Sequence, residues 1–358
     1  MKTKLVYVLT CAPEATYIEQ ALMSVWSARH WNADAHIVLI TDNLTDKLLI
    51  GKRGEILNYI SEKIVVPFED DKDVGYRSRW LKTQTKLFVE GDILFLDCDT
   101  IVTGPLDEVD AFECEIGLVP DEHIKICEEE QSLFDSIDTR CRQLGVNHSA
   151  EEYYFNSGVM YVKHTETTLD LFRRWFSVWE YSYYNCDFLA DQPALAKVNI
   201  EFKHIISKID DVWNTLVPTE VETIYKSKIL HFWNYRNASV LFSHRVLKKI
   251  RDVGLSDYVK YFILHPTESF LPYDNKVYHF TWREYVRLYK SLSYGIRQYA
   301  LCVDKNFEDF RHWKIPYCYA WYFMKIKCYR MASLSIVVMK YYRVHRKKYK
   351  YISNICKK

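Results

Sequence analysis

Four apolar residues, Ile93-Leu94-Phe95-Leu96, run directly into Asp97-Cys98-Asp99. Side chains alternate faces along a strand, so if the strand geometry continues the two carboxylates point the same way. Like charges so placed repel, and a hard divalent cation with oxygen ligands is the natural partner between them. Such a cation, held by one or two carboxylates, completes its shell with substrate phosphates. The spacing therefore points to a metal-bound diphosphate. A solvated turn is the other reading of the same three residues, and Asp-x-Asp alone does not separate the two. The apolar run favours the metal, because it sets both acids at a strand's carboxyl end, where open α/β sheets bind ligands.

Further chemically able residues fall at expected strand ends or helix starts: Thr10-Cys11, Asp42, Asp121, Asn156, Asp191-Gln192 and His231. Carboxyl ends of parallel strands share one edge of a sheet, so such residues can converge though distant in sequence. His231 is a candidate third metal ligand, since imidazole joins carboxylates on Mn²⁺-type ions; a structural hydrogen-bonding role is the alternative. Arg79 and Lys82 share a helix face, which suits either a diphosphate or plain solvation.

The elements that must position these residues alternate. Leu5–Thr10, His36–Thr41, Ile64–Pro67 and Ile93–Leu96 read as strands, and Tyr17–His30, Lys47–Ser61 and Arg79–Val89 as helices between them. Glu115–Val119, Gly158–Val162 and Lys228–Phe232 read as further strands, and Leu169–Trp179 as an amphipathic helix. Asp191-Gln192-Pro193 opens another helix, with Asp as an N-cap and Pro in the first turn. This order predicts an α/β fold with a mostly parallel sheet and helices on both faces. After about Ser243 the strand signal fades and the chain reads as helical, aromatic and basic, so a division at residues 1–245 and 246–358 is expected.

The 358 residues are 49% hydrophobic and 16% aromatic, with only 10 Gly and 9 Pro, which excludes low-complexity linkers. The 10 cysteines form no CxxC pair and no zinc spacing. Leu5–Leu9 is too short for the apolar core of a signal peptide, so a reducing, cytoplasmic setting is expected. The net charge of +1 hides an asymmetry. From Phe310 to Lys358 there are 13 Lys/Arg and no acid, while the rest of the chain is acidic. Within Trp321–Met339, Lys325, Lys327 and Arg330 argue against a spanning helix. Aromatic and aliphatic residues interleaved with basic ones fit a helix lying in an anionic membrane interface, and peripheral attachment to the inner face is expected rather than nucleic-acid binding.

Taken in order, the motifs resemble the GT-A glycosyltransferases, in particular the retaining, family-8-like enzymes that use nucleotide-sugars. The resemblance is carried by Tyr7-Val8-Leu9-Thr10, the basic helix start Tyr76-Arg77-Ser78-Arg79-Trp80-Leu81-Lys82, and Leu94-Phe95-Leu96-Asp97-Cys98-Asp99. Phe155-Asn156-Ser157-Gly158-Val159, Asp191-Gln192-Pro193, Trp213-Asn214 and Leu230-His231-Phe232 complete it, over residues 5–240. It implies that Asp97, Asp99 and His231 hold Mn²⁺ (or Mg²⁺) and that Thr10, Cys11 and Asp42 lie near the nucleobase. Arg79, Lys82 and Cys98 would line the donor. Asp121, Asn156, Ser157, Asp191 and Gln192 would hold sugar hydroxyls, with Asp191 or Gln192 beside the reacting carbon. The implied donor is a UDP-hexose and the acceptor a glycan or lipid-linked sugar. One departure stands out. The family continues from its metal histidine with Gly-x-x-Lys-Pro-Trp, whereas here the run is Phe232-Trp233-Asn234-Tyr235-Arg236-Asn237; Arg236 supplies the diphosphate charge from the neighbouring position, or nothing does.

Two rival classes remain on the sequence alone: a haloacid-dehalogenase-type phosphatase, which also places Asp-x-Asp after an apolar strand, normally the first one, and a non-catalytic nucleotide-sugar-binding or membrane scaffold protein.

Overall fold

A computed structural model describes residues 1–69, 72–129, 131–217, 226–232 and 241–269, together with Thr223 and Ser239. Ten strands are described: β1 (Lys4–Leu9), β2 (Ile37–Asp42), β3 (Glu62–Val66), β4 (Ile93–Leu96), β5 (Thr100–Val102), β6 (Ile116–Pro120), β7 (Phe155–Val162), β8 (Ile206–Lys208), β9 (Thr215–Leu216) and β10 (Ile229–His231). Seven of them form one sheet in the order β3-β2-β1-β4-β7-β6-β8, and β5-β10-β9 form a second, small sheet.

The strands β1 to β4 are mutually parallel wherever they pair. The chain winds outward from β1 through β2 to β3, then returns to place β4 on the other side of β1. A crevice opens at such a reversal, at the carboxyl ends of the two central strands. Thr10 follows β1 and Asp97 follows β4, so both sit at its mouth.

Burial on both faces explains the continuous apolar runs of β1, β2 and β4. Leu5, Tyr7, Leu9, Leu39, Leu94 and Leu96 pack into one core, and Val6, Val8, Val38, Ile40, Ile93 and Phe95 into the other. The first core is covered by α1 (Tyr17–Trp31), and the second by α3 (Val74–Thr83), α6 (Glu166–Cys186) and α7 (Gln192–Glu201). The remaining helices are α2 (Asn43–Asp46), α4 (Thr85–Phe88), α5 (Gln131–Gln143), α8 (His244–Val253) and α9 (Asp257–Leu264). Leu247, Ile250, Val259, Phe262 and Ile263 carry α8 and α9 into the first core beside α1. No helix among the described residues is long and apolar enough to cross a membrane.

Several elements differ from the sequence expectation. Lys47–Ser61 is not an α-helix; Gly51 takes a positive φ of 55° and only a 3₁₀ stretch, Arg53–Asn58, follows. The helix expected from Arg79 starts earlier, because the Asp73 carboxylate accepts from the Tyr76 amide at 2.9 Å and caps it. It breaks at Gln84, and β7 runs antiparallel to both β4 and β6. A strand buried on both faces carries no sign of its direction in its sequence.

Candidate active site

The Asp97-Cys98-Asp99 segment is not a continuation of β4. The strand ends at Leu96, and the chain turns through these residues into β5. The turn is held by backbone and hydroxyl bonds: Asp97 N–H donates to Gly158 O at 2.8 Å, and Thr100 Oγ1 donates to Asp97 O at 2.8 Å. Beneath it, Ser24 Oγ lies 2.8 Å from Thr100 Oγ1.

The small sheet brings the third residue. β10 pairs antiparallel with β5, setting His231 opposite Thr100, and Phe232 N–H donates to Asp99 O at 2.9 Å. His231 Nε2 then lies 3.3 Å from Asp99 Oδ1 and 4.0 Å from Asp97 Oδ2. One ligand atom from each of the three residues falls within 4.8 Å of the others. Gly158, in the interior of β7, makes the space: a Cβ there would collide with His231 Cε1. A glycine inside a strand often marks such a close approach.

The electrostatics fit a cation. Burial pushes the Asp97 carboxyl up, opposed by the Lys82 ammonium and reinforced by the Asp99 charge. Burial acts on Asp99 the same way, but contacts with His231, its own backbone amide and the Lys82 ammonium together outweigh it and hold that carboxyl below its ordinary value. Among the described residues His231 Nε2 is buried with no aligned hydrogen-bond partner, and buried polar atoms are rarely left so. Two carboxylates and an imidazole nitrogen facing one point are the donor set of a Mn²⁺- or Mg²⁺-type ion.

Beside this cluster lies a second, of both signs. Lys82 Nζ is 3.1 Å from both Asp97 oxygens and 3.8 Å from Asp191 Oδ2. Arg79 Nε is 2.9 Å from Asp191 Oδ1, and Ser157 Oγ donates to Asp191 Oδ2 at 2.7 Å. Asp191 occupies the N-cap position of α7, yet its side chain makes no capping bond; the cations and Ser157 hold it instead. Burial works against its charge, but Lys82, Arg79 and Ser157 prevail and keep its pKa low. Asn156 Nδ2 donates to Asp121 Oδ1 at 2.8 Å, and Gln192 Nε2 to Phe155 O at 3.1 Å.

The crevice between β1 and β4 encloses about 660 Å³. Thr10, Arg79, Asp97, Cys98 and Asp99 line it, as the sequence suggested, and so do Tyr17, Gln20, Gly75 and Ser78, which sequence reasoning missed. Gln20 lies in α1, which the sequence marked only by the helical spacing of its apolar residues; its Nε2 is buried with no hydrogen-bond partner among the described residues. Cys11 and Asp42 stand apart from the lining, as do Asp121, Asn156, Ser157 and Gln192, while Asp191, Lys82 and His231 adjoin it through Arg79, Asp97 and Asp99. Asp42 is fully buried, accepting from Leu44 N at 2.8 Å, Thr45 N at 2.7 Å and Thr45 Oγ1 at 2.9 Å, with Arg77 Nε 3.3 Å away. Its oxygens are spent on capping α2. Cys11 is buried and donates its amide to Thr45 Oγ1 at 2.8 Å. Arg236 lies outside the described residues.

A crevice at the strand reversal of a mostly parallel sheet, with an Asp-x-Asp at its edge and a histidine returned to it, defines a GT-A type of site. Residues 87–236 match the model of glycosyl transferase family 8. This segment is a family-8-like glycosyltransferase domain of GT-A fold, and the protein is a glycosyltransferase. No curated protein matches the chain. Among solved structures, it is similar to mouse xyloside xylosyltransferase 1 in its apo form (16% identity, 64% of this chain and 97% of that one, TM-score 0.42). It is also similar to the galactosyltransferase LgtC in complex with donor and acceptor sugar analogs (13%, 72% and 99%, TM-score 0.43) and to the glycosyltransferase GlyE of Streptococcus pneumoniae TIGR4 (17%, 74% and 63%, TM-score 0.40). The Asp-x-Asp follows the fourth strand rather than the first, which sets the chain apart from haloacid-dehalogenase-type phosphatases.

Proposed function

We propose that this glycosyltransferase moves a hexose from a nucleoside-diphosphate sugar, UDP being the expected carrier, to a glycan or lipid-linked acceptor, with Mn²⁺ or Mg²⁺ bound and with retention of configuration. The observation that carries the reading is the convergence of Asp97, Asp99 and His231 beside Lys82, Arg79 and Asp191 at the edge of one crevice. Asp97, Asp99 and His231 would hold the ion, which when bound supplies Lewis-acid neutralisation of the departing diphosphate.

The chain's own groups do the rest. Thr10, Tyr17 and Gln20 present polar atoms to the nucleoside end of the crevice. Lys82 and Arg79 put fixed positive charge next to the acids, favouring an anionic diphosphate there. Asp121 and Gln192 offer directional bonds to sugar hydroxyls, which orient the reacting carbon, while Asn156 and Ser157 hold Asp121 and Asp191 in place. Asp191 stays ionised through Lys82 and Arg79, so it presents a carboxylate charge to a carbon turning cationic. Attack from the same face, with no covalent intermediate, and double displacement through Asp191 or Gln192 are both compatible with this geometry.

A panel of nucleotide-sugars, scored for Mn²⁺-dependent protection against thermal unfolding and then for metal-dependent hydrolysis, tests the reading. Protection by one donor family that Asp99→Asn abolishes supports it; an unchanged response in that variant defeats it.

We further infer that residues 1–245 form the donor-binding unit and that residues 246–358 extend it towards an anionic membrane on the cytoplasmic side. The 13 basic residues between Phe310 and Lys358, with no acid among them, support this. Sedimentation with phosphatidylglycerol vesicles that weakens with salt is the expected outcome, and equal binding to neutral vesicles would refute it.

A further inference from the structure

The sequence singled out Trp213-Asn214 as a motif without giving Asn214 a task. Its amide lies in an unbroken line of buried side chains, and one member of that line has no freedom of assignment. The Gly158 amide N–H is a donor and nothing else; it donates to the Asn156 side chain at 2.9 Å, so the accepting atom is Asn156 Oδ1. That fixes the Asn156 amide with its NH₂ group towards Asp121, 2.8 Å from Oδ1. Asn156 Oδ1 also lies 2.9 Å from the Asn214 amide, which must therefore present its own NH₂. The Asn214 oxygen is then left facing His231 Nδ1 at 2.9 Å. A carbonyl oxygen only accepts, so Nδ1 carries the proton. On a neutral ring, Nε2 is then a bare lone pair, and it points at Asp99 Oδ1 and Asp97 Oδ2, 3.3 and 4.0 Å away.

We propose that Asn214 is a positioning residue that locks His231 in the Nδ1–H tautomer, with the Nε2 lone pair aimed at the Asp97/Asp99 pair. The proposal rests on the metal reading above for its use, but not for its geometry. A histidine in water prefers its proton on Nε2, the form that cannot ligate through that nitrogen. The relay from Gly158 must reverse that preference before any ion arrives. A partner on the second ring nitrogen is the usual way a ligating histidine is oriented, and its loss costs about 10–100-fold in metal affinity.

The support for Asn214 is itself braced. His123 Nε2 donates to the Asn214 backbone oxygen at 2.7 Å. Glu122 and His123 hold φ values of 50° and 57°, a region that non-glycine residues adopt only where the surroundings impose it. Asn156, Asn214 and His231 are all buried, so water does not compete for these bonds.

The test is the ¹⁵N spectrum of histidine-labelled, metal-free protein at a pH where the imidazole is neutral, followed by a Mn²⁺ titration. The expected result is a protonated Nδ1 and a pyridine-like Nε2 for His231. In Asn214→Leu the His231 signals move towards the free-histidine tautomer, and Mn²⁺ affinity falls about 10–100-fold. A parent protein with the proton on Nε2 overturns the proposal, and that measurement needs no variant to fold. A folded Asn214→Leu that keeps the parent tautomer overturns it too. If the parent shows the assigned tautomer but binds no Mn²⁺, the metal reading falls while the hold of Asn214 on the ring is upheld.

Discussion

Asp42 and Asp191 stand at the same place in the chain's grammar, the N-cap of a helix at the edge of the sheet, and they do opposite things. Asp42 spends its oxygens on the Leu44 and Thr45 amides and the Thr45 hydroxyl, fully buried. Asp191 makes no capping bond and turns to Arg79, Lys82 and Ser157. One acid is structural and the other is available to chemistry, and the difference lies in what surrounds them rather than in what they are. The same division runs through the Asp97–Asp99–His231 cluster. The Asp97–Asp99 turn is gripped by backbone and hydroxyl bonds, whereas His231 is oriented by the side chain of Asn214.

This contrast can be broken most severely at the acids themselves. Asp99→Asn keeps the turn but removes a ligand charge, so Mn²⁺ affinity and donor turnover should fall by more than the roughly 10–100-fold expected of a supporting residue, as read by metal titration and initial rates. Gly158→Ala should come next. Its Cβ would collide with the His231 ring, so Mn²⁺ binding should weaken sharply with about 1–3 kcal/mol lost from stability, checked by denaturant unfolding beside the titration.

The two aspartates also make opposite pH predictions for the metal-free protein. The Asp97 pKa is raised by burial despite Lys82, so its contribution to stability is complete below the ordinary carboxylate range and is lost as pH rises through the elevated value. Asp191 is lowered by Lys82, Arg79 and Ser157 against the effect of burial, so its contribution is present above the ordinary range and is lost as pH falls through the depressed value. Melting temperature against pH in chelator should therefore flatten on the acid side in Asp191→Asn and change at higher pH in Asp97→Asn. Lys82→Met removes the charge opposing the rise at Asp97, so the acid limit of Mn²⁺ binding should move to higher pH.

The smallest effect is expected at the nucleoside end. Arg251 of α8 is 3.2 Å from the buried Glu19 carboxylate and also donates to Ala15 O, and Arg53 is 2.7 Å from the same carboxylate. Arg251→Ala should loosen the turn before α1 by about 1 kcal/mol, with a few-fold higher donor KM and little change in kcat. An unaltered KM would show that Arg53 holds the turn alone.

Much of the site was legible in the residues because it is local. An apolar run ending in Asp97-Cys98-Asp99 marks a strand end wherever it occurs, and Arg79 and Lys82 share a face by helical spacing alone. Asp42 misled because a strand-end acid reads the same whether it caps or binds. Gln20 went unnoticed because a polar residue within a helix carries no mark of facing a crevice.

The amino-acid sequence thus determined the sheet's parallel half, the acidic turn at its edge and the order of motifs along the chain, since each depends on neighbours a few residues apart. Only the tertiary structure decided that β7 runs backwards, that β10 zips onto β5 to deliver His231, and that Asn214 presents its oxygen to that ring. Those outcomes depend on pairing between distant strands and on amide orientations fixed by partners from other segments, and no local pattern encodes either.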